Sequence, residues 1–313
     1  GWAPKQRDAL RVEVAGRHLR GQAALLKAQL EVGAAGDRVV ALARVERALR
    51  RGQGIELERL DLDLDGHPEV WAHSGAFSAL LSPHLGGTLV EWIDLRRTVN
   101  VLNGLTRRLE WYHAKLRGTD RAPLVAAPGE PPPDAREALA YRALEELGDF
   151  VEAPYRLTME SNGVVLTREG MVRTPSGPRP IGIRKTIHFD ARGRIAAAYR
   201  LAAGDGETFA QWFGVELNVF LPGLVDGLGE IRVDRQRLDP GMPGAASGSA
   251  CILREGAAGS REVRIAWSRP AEVAMSPIRT VAQTERGFEM TCQGHGLVVA
   301  WPVRLPTDGD WSV

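Results

Sequence analysis

The richest collection of chemically capable side chains lies between Trp92 and His113. Trp92, Asn100, Asn103, Arg107, Arg108, Glu110, Trp111, Tyr112 and His113 bring aromatic rings, amides, guanidinium groups, a carboxylate and an imidazole into one short span. Aromatic rings stack on the apolar faces of sugars, while amides, carboxylates and guanidinium groups bond their hydroxyls, so the combination suits carbohydrate contact. Glu216 and Asn218 offer two more groups of the same kind. The competing reading is structural: Arg107, Arg108 and Glu110 could form a buried ion-pair network instead.

Alternation constrains this stretch. After the turn signal Gly86-Gly87, residues Thr88 to Ile93 read as a strand interrupted by Glu91. Neighbouring strand residues point to opposite faces, so Glu91 and Trp92 cannot both line one groove. Either Trp92 lines it and Glu91 packs away toward partners, or Glu91 lines it and Trp111 is the better stacking ring. Trp212, Trp267 and Trp301 are read as core.

Other chemistries find less support. No Gly-rich loop stands between a strand and a helix, so no nucleotide site is expected. His67, Glu69 and His73 are too sparse in sequence for a metal box, and Asp61, Asp63 and Asp65 lack a recognised calcium-loop pattern. The acidic residues of this region read as a solvated strand face. Cys251 and Cys292 are too few for a disulfide framework and read as small core residues. No metal and no cofactor is expected. The formal net charge of +1 gives no electrostatic pull toward nucleic acid. No apolar run is long enough to span a bilayer, and the start Gly1-Trp2-Ala3-Pro4-Lys5 lacks a signal-peptide core. No membrane partner is expected, and a cytoplasmic location is the default.

These groups need elements to hold them. Leu19, Ala23, Leu26 and Leu30 recur at helical spacing, as do Val39, Leu42, Val45 and Leu49, with a break at Gly33 to Gly36. Residues 1–54 are therefore expected to be a helical segment. From Ile55 the texture alternates, and Asp65-Gly66 marks a hairpin turn before the strand Glu69–His73. A Pro-rich loop is expected at 122–133, and a helix from Asp134 through Leu147. Beyond Tyr155 many short strands follow, including separate ones at Val263–Ser268, Ala271–Met275 and Arg279–Thr284. The expected fold is mainly β: one large antiparallel β-sandwich over 55–313, preceded by the short helical segment.

The chain also resembles a known family. Pro83, Gly86, Gly87 and Glu91, then Asn100, Arg107, Arg108, Glu110, Tyr112 and His113, are similar in order and spacing to the C-terminal domain of glycoside hydrolase family 57 α-amylase/4-α-glucanotransferase enzymes. Lys185 to Tyr199, Phe213 to Asn218, and Pro277 to Glu289 with Glu285 and Gly287, followed by Gln293-Gly294 and Trp301, extend the resemblance over about Leu60 to Trp301.

The resemblance implies a galactose mutarotase-like sandwich that contacts α-glucan or maltooligosaccharide and supports a catalytic barrel domain. In the family, the carboxylates that cleave the glycosidic bond come from that barrel, and nothing here resembles it. No catalytic residue is carried over, and the chain alone is expected to be inactive. The alternatives are a stand-alone carbohydrate- or protein-binding module, or a mutarotase-type sugar epimerase using a His and a Glu.

Overall fold

A computed structural model of the chain describes residues 54–62, 65–97, 99–102, 146–203, 209–256, 261–284, 287–305 and 310–313. The expected helices before Arg51 and the Pro-rich loop lie outside the described residues. Residues 134–145 do too, but the expected helix does not extend to Leu147. The Arg173 N–H donates to the Leu147 carbonyl at 2.8 Å, and Gly148 bridges Val172, so the chain is already strand-paired there.

The described residues are mostly antiparallel strand, as the alternation predicts. In order these are β1 (Glu56–Leu60), β2 (Glu69–His73), β3 (Phe77–Ser82), β4 (Thr88–Asp94), β5 (Val99–Leu102), β6 (Arg156–Met159), β7 (Gly163–Thr174), β8 (Gly177–Phe189), β9 (Ile195–Ala203) and β10 (Phe209–Val219). A single helical turn, α1 (Pro222–Val225), follows, then β11 (Gly229–Val233), β12 (Gln236–Leu238), β13 (Gly244–Glu255), β14 (Arg261–Thr284), β15 (Gly287–Leu305) and β16 (Asp310–Ser312). No helix among the described residues is long and apolar enough to cross a membrane.

Two compact units can be distinguished. The first takes the chain up to Asn100, then Asp149–Gly170 and Ile183–Tyr199; the second takes Val101–Gly148, Met171–Gly182 and Arg200–Val313.

In the first unit, β1 to β4 form an antiparallel meander with β1 on β2, β2 on β3 and β3 on β4. Parts of β7 and β8 supply a second layer. The Phe77 and Phe189 rings stack with centroids 5.8 Å apart, joining β3 of one sheet to β8 of the other. Phe77, Ala79, Leu81, Val164, Leu166 and Phe189 are all buried, which gives this unit a sandwich core.

In the second unit, one sheet runs β10-β15-β14-β13-β11-β12. Its core face meets Trp311 of β16. The Phe213, Trp301 and Trp311 rings lie 5.6 to 6.2 Å apart, with the Arg269 guanidinium 5.5 Å from the Trp311 ring. Trp301 Nε1 donates to the Arg269 carbonyl at 3.0 Å, so the indole is buried without an orphaned N–H.

The strands differ from the sequence reading at β13, β14 and β15, and β14 is the most instructive case. The three strands expected between Val263 and Thr284 are one strand, β14, although it contains Pro270 and Pro277. Proline usually interrupts an interior strand because it has no N–H to donate. Here β14 continues past Pro277, with a register shift between Ile278 and Arg279 taking up the irregularity.

Candidate functional site

The Gly86-Gly87 turn is built as its sequence suggests. Both glycines have positive φ, +64° and +56°. A Cβ on Gly86 would collide with the Val151 carbonyl, and one on Gly87 would press on Leu166 and Tyr155. The turn is tied down from several directions. Gly86 N–H donates to the Ala153 carbonyl at 3.1 Å, and Tyr155 N–H to the Pro83 carbonyl at 2.8 Å. Lys185 Nζ donates to the Gly86 carbonyl at 2.6 Å and lies 4.3 Å from the centroid of the Tyr155 ring. Burial pushes the Lys185 ammonium down to about 8.

The turn launches β4, whose register settles the alternation. Trp92 pairs with Ala79 and Asp94 with Phe77, so Trp92 shares the inter-sheet face with the Phe77 ring. It is half-buried, and its Nε1 is buried with no hydrogen-bond partner among the described residues. Glu91 lies opposite Leu80, which in turn pairs with Trp71, so the carboxylate is buried on the other face. This is the branch in which Glu91, not Trp92, faces away from the core. Asn100 is half-buried in β5 between the buried Val99 and Val101.

The second unit arranges its candidates differently. On β10, Phe213 faces the core and packs on Trp301 and Trp311. Period-two alternation then places Trp212, Gly214, Glu216 and Asn218 in a row on the opposite face. Their partners on β15 are Pro302, Ala300, Val298 and Gly296. The floor beside the row is made of small residues: Ala300 and Ala274 are buried, with Val298 and Ala245 packed against them.

Glu216 is exposed and Asn218 half-buried, its Oδ1 without a hydrogen-bond partner among the described residues. Trp212 is 42% exposed. Its ring borders a shallow, open depression of about 440 Å³ lined by Ala210, Gln211, Trp212, Pro302, Val303 and Arg304.

Trp212 is the residue that sequence reasoning assigned wrongly to the core. The signal was present, because Trp212 stands two and three alternations before Glu216 and Asn218. Its face follows once theirs is known. Trp267 is half-buried, its Nε1 donating to the Gly248 carbonyl at 2.7 Å, and Trp301 is core as expected. Asn103, Arg107, Arg108, Glu110, Trp111 and His113 lie outside the described residues, as does Glu285. Gly287 opens β15, and Glu289 pairs with Ala282 of β14.

Comparison with known proteins gives the context. Residues 61–126 and 132–313 match the family described as "Alpha-amylase/4-alpha-glucanotransferase, C-terminal". The chain is 28% identical over 276 residues to a 4-alpha-glucanotransferase of Thermococcus litoralis, covering 78% of this chain and 39% of that enzyme. It is 25% identical over 276 residues to an alpha-amylase of Pyrococcus abyssi, covering 78% of this chain and 38% of the enzyme. The chain thus spans about two fifths of the length of these relatives. A crystal structure of the 4-alpha-glucanotransferase from Thermococcus litoralis superposes with a TM-score of 0.62 at 23% identity, over 88% of this chain and 40% of that one, and shares its fold. With well over half of its residues matched, the chain belongs to the alpha-amylase/4-alpha-glucanotransferase C-terminal domain family.

Proposed function

We propose that this chain is a glucan-contacting β-sandwich domain of a glycoside hydrolase family 57 type protein, and that it works beside a catalytic barrel supplied outside these 313 residues. The observation that carries this reading is the row Trp212, Glu216 and Asn218 on one face of β10. An exposed indole supplies a stacking surface, and the carboxylate and amide supply hydrogen-bond groups for hydroxyls along the same strand. At about 3.4 Å per residue, six residues of strand extend roughly 20 Å, long enough for an extended oligosaccharide rather than a single ring. The relatives, a 4-alpha-glucanotransferase and an alpha-amylase, point to α-glucan as the ligand class.

The chain by itself is inactive in this reading. Cleavage by a retaining glycosidase needs two carboxyl groups about 5–5.5 Å apart, flanking the scissile bond. The role left to the sandwich is to hold substrate and to brace the barrel. Asn103, Arg107, Arg108, Glu110, Trp111 and His113 remain candidates for the same contact.

The test is titration with maltoheptaose, followed by tryptophan fluorescence, in the parent and in Trp212→Ala, Trp111→Ala and Trp92→Ala. A saturable change that is lost in Trp212→Ala and kept in Trp92→Ala supports the reading. No saturable change at millimolar sugar refutes glucan contact. Product analysis of the same protein with maltooligosaccharides should show no new species.

A further inference from the structure

The hairpin of β1 and β2 carries a second cluster that the glucan reading does not use. Glu56 and Glu58 lie two residues apart on β1 and so share a face. The antiparallel register sets His73 directly opposite Glu56, and Trp71 opposite Glu58. All three side chains converge. His73 Nε2 is 2.7 Å from Glu58 Oε1 and 3.9 Å from Glu56 Oε2. One ligand atom from each residue lies within 4.8 Å of the others.

The burial is asymmetric in a useful way. His73 is 3% exposed, whereas the Glu56 and Glu58 side chains are about half exposed. The imidazole is also held in place: the Trp71 ring lies 4.2 Å from it, and Trp71 Nε1 is itself fixed to Ser78 Oγ at 2.9 Å. His73 Nδ1 is buried with no hydrogen-bond partner among the described residues, so Nε2 is the nitrogen presented to the acidic pair. A rigid buried ligand thus faces two solvent-accessible ones that can adjust.

We propose that Glu56, Glu58 and His73 bind a divalent transition ion of the zinc type. Zinc takes imidazole nitrogen and carboxylate oxygen at about 2.0–2.2 Å in tetrahedral geometry, which sets neighbouring ligand atoms about 3.3 Å apart. The two nitrogen–oxygen separations, 2.7 and 3.9 Å, straddle that spacing. Small rotations of the exposed carboxylates reach it with no movement of the buried imidazole. Three protein ligands leave a fourth position for water. The mixed nitrogen and oxygen set favours zinc over magnesium or calcium, which take oxygen alone. The alternative occupant of the cluster is a proton, shared in an ordinary histidine–carboxylate hydrogen bond.

Calorimetric titration of the metal-stripped chain with zinc chloride separates the two. Binding should saturate at one ion per chain at micromolar zinc, with no saturable heat from magnesium. Zinc should raise the melting temperature, because an ion that binds only the folded chain stabilises it. The double substitution Glu56→Gln and Glu58→Gln should weaken zinc by more than about 100-fold, since even outer-shell changes at such sites cost about 10–100-fold. Neither glutamate is buried, so the variant should fold, and its circular dichroism and zinc-free melting temperature check this. If it does not, Glu56→Gln alone, at the more exposed ligand, should still lower affinity about tenfold or more. Absence of saturable zinc binding by the parent, or zinc binding equal in parent and variant, overturns the proposal.

Discussion

Substitution of Gly86 by alanine tests the packing argument most directly. Gly86 has φ of +64°, where an L side chain costs about 1–2 kcal/mol. The added Cβ would also strike the Val151 carbonyl, and backbone atoms cannot swing aside as the end of a flexible side chain can. The turn must therefore move away from the segment from Val151 to Tyr155. That movement breaks the hydrogen bond from Gly86 N–H to Ala153, worth about 1 kcal/mol net, and the charge-assisted bond from Lys185 to the Gly86 carbonyl, worth about 1.5–3 kcal/mol. The sum is about 3.5–6 kcal/mol, a large share of the roughly 5–15 kcal/mol that holds a typical domain folded. Gly66 is the control: its φ is +91°, but nothing lies within 4 Å of an added Cβ. Gly66→Ala should cost only the conformational part, about 1–2 kcal/mol. Urea denaturation of both variants at one pH gives the comparison through their midpoints. Failure of Gly86→Ala to fold agrees with the larger figure. A midpoint shift no greater than that of Gly66→Ala would refute the close-approach argument.

Three further outcomes are expected. The folded-state Lys185 value of about 8 lies below the ordinary 10.5, so the unfolded chain holds the extra proton between the two; stability should rise with pH across that window by up to about 3 kcal/mol, and Lys185→Met should flatten the rise in denaturation measurements. His295 is buried, with its value held below 6.5 by desolvation, so the unfolded chain gains a proton first as pH falls; stability should drop on the acid side of 6.5, and less so in His295→Gln. Glu255 is buried between Arg261 Nη1 at 2.5 Å and the Gly223 N–H at 2.6 Å. Arg261→Ala should cost about 3 kcal/mol by leaving that carboxylate under-compensated, and adding Glu255→Gln should recover part of the loss; equal stability of the two variants would contradict this.

Much of the fold was legible because strands announce themselves by alternation. The hairpin around Asp65-Gly66, the turn at Gly86-Gly87 and strands β2, β4 and β10 follow directly from period-two texture and turn chemistry. β13 was not legible, because Gly244-Ala245-Ala246-Ser247-Gly248-Ser249-Ala250 has little β propensity; pairing with β14 along its whole length makes it a strand. The two prolines of β14 concealed its continuity for the opposite reason, since local propensity signalled breaks that tertiary pairing overrides. The face of Trp212 was readable from Glu216 and Asn218, whereas the meeting of Glu56, Glu58 and His73 was not. His73 stands 15 residues after Glu58 in sequence, and only the exact β1–β2 register brings it onto the two glutamates. A slip of one residue would put them on opposite faces.

The bond from Lys185 to Gly86 also sets a schedule for synthesis. It joins residues 99 apart in the chain. At ribosomal rates of about 5–20 residues per second, roughly 5–20 s separate the emergence of the turn from that of the side chain that locks it. Until β7 and β8 follow, the β1–β4 meander has no second layer, and its Phe77 side chain waits for Phe189. Such an uncovered sheet is a target for chaperones, and for pairing with neighbouring nascent chains. Slow codons placed far enough past the one for Phe189 that it has left the ribosome would give the two layers time to close before the rest of the chain appears.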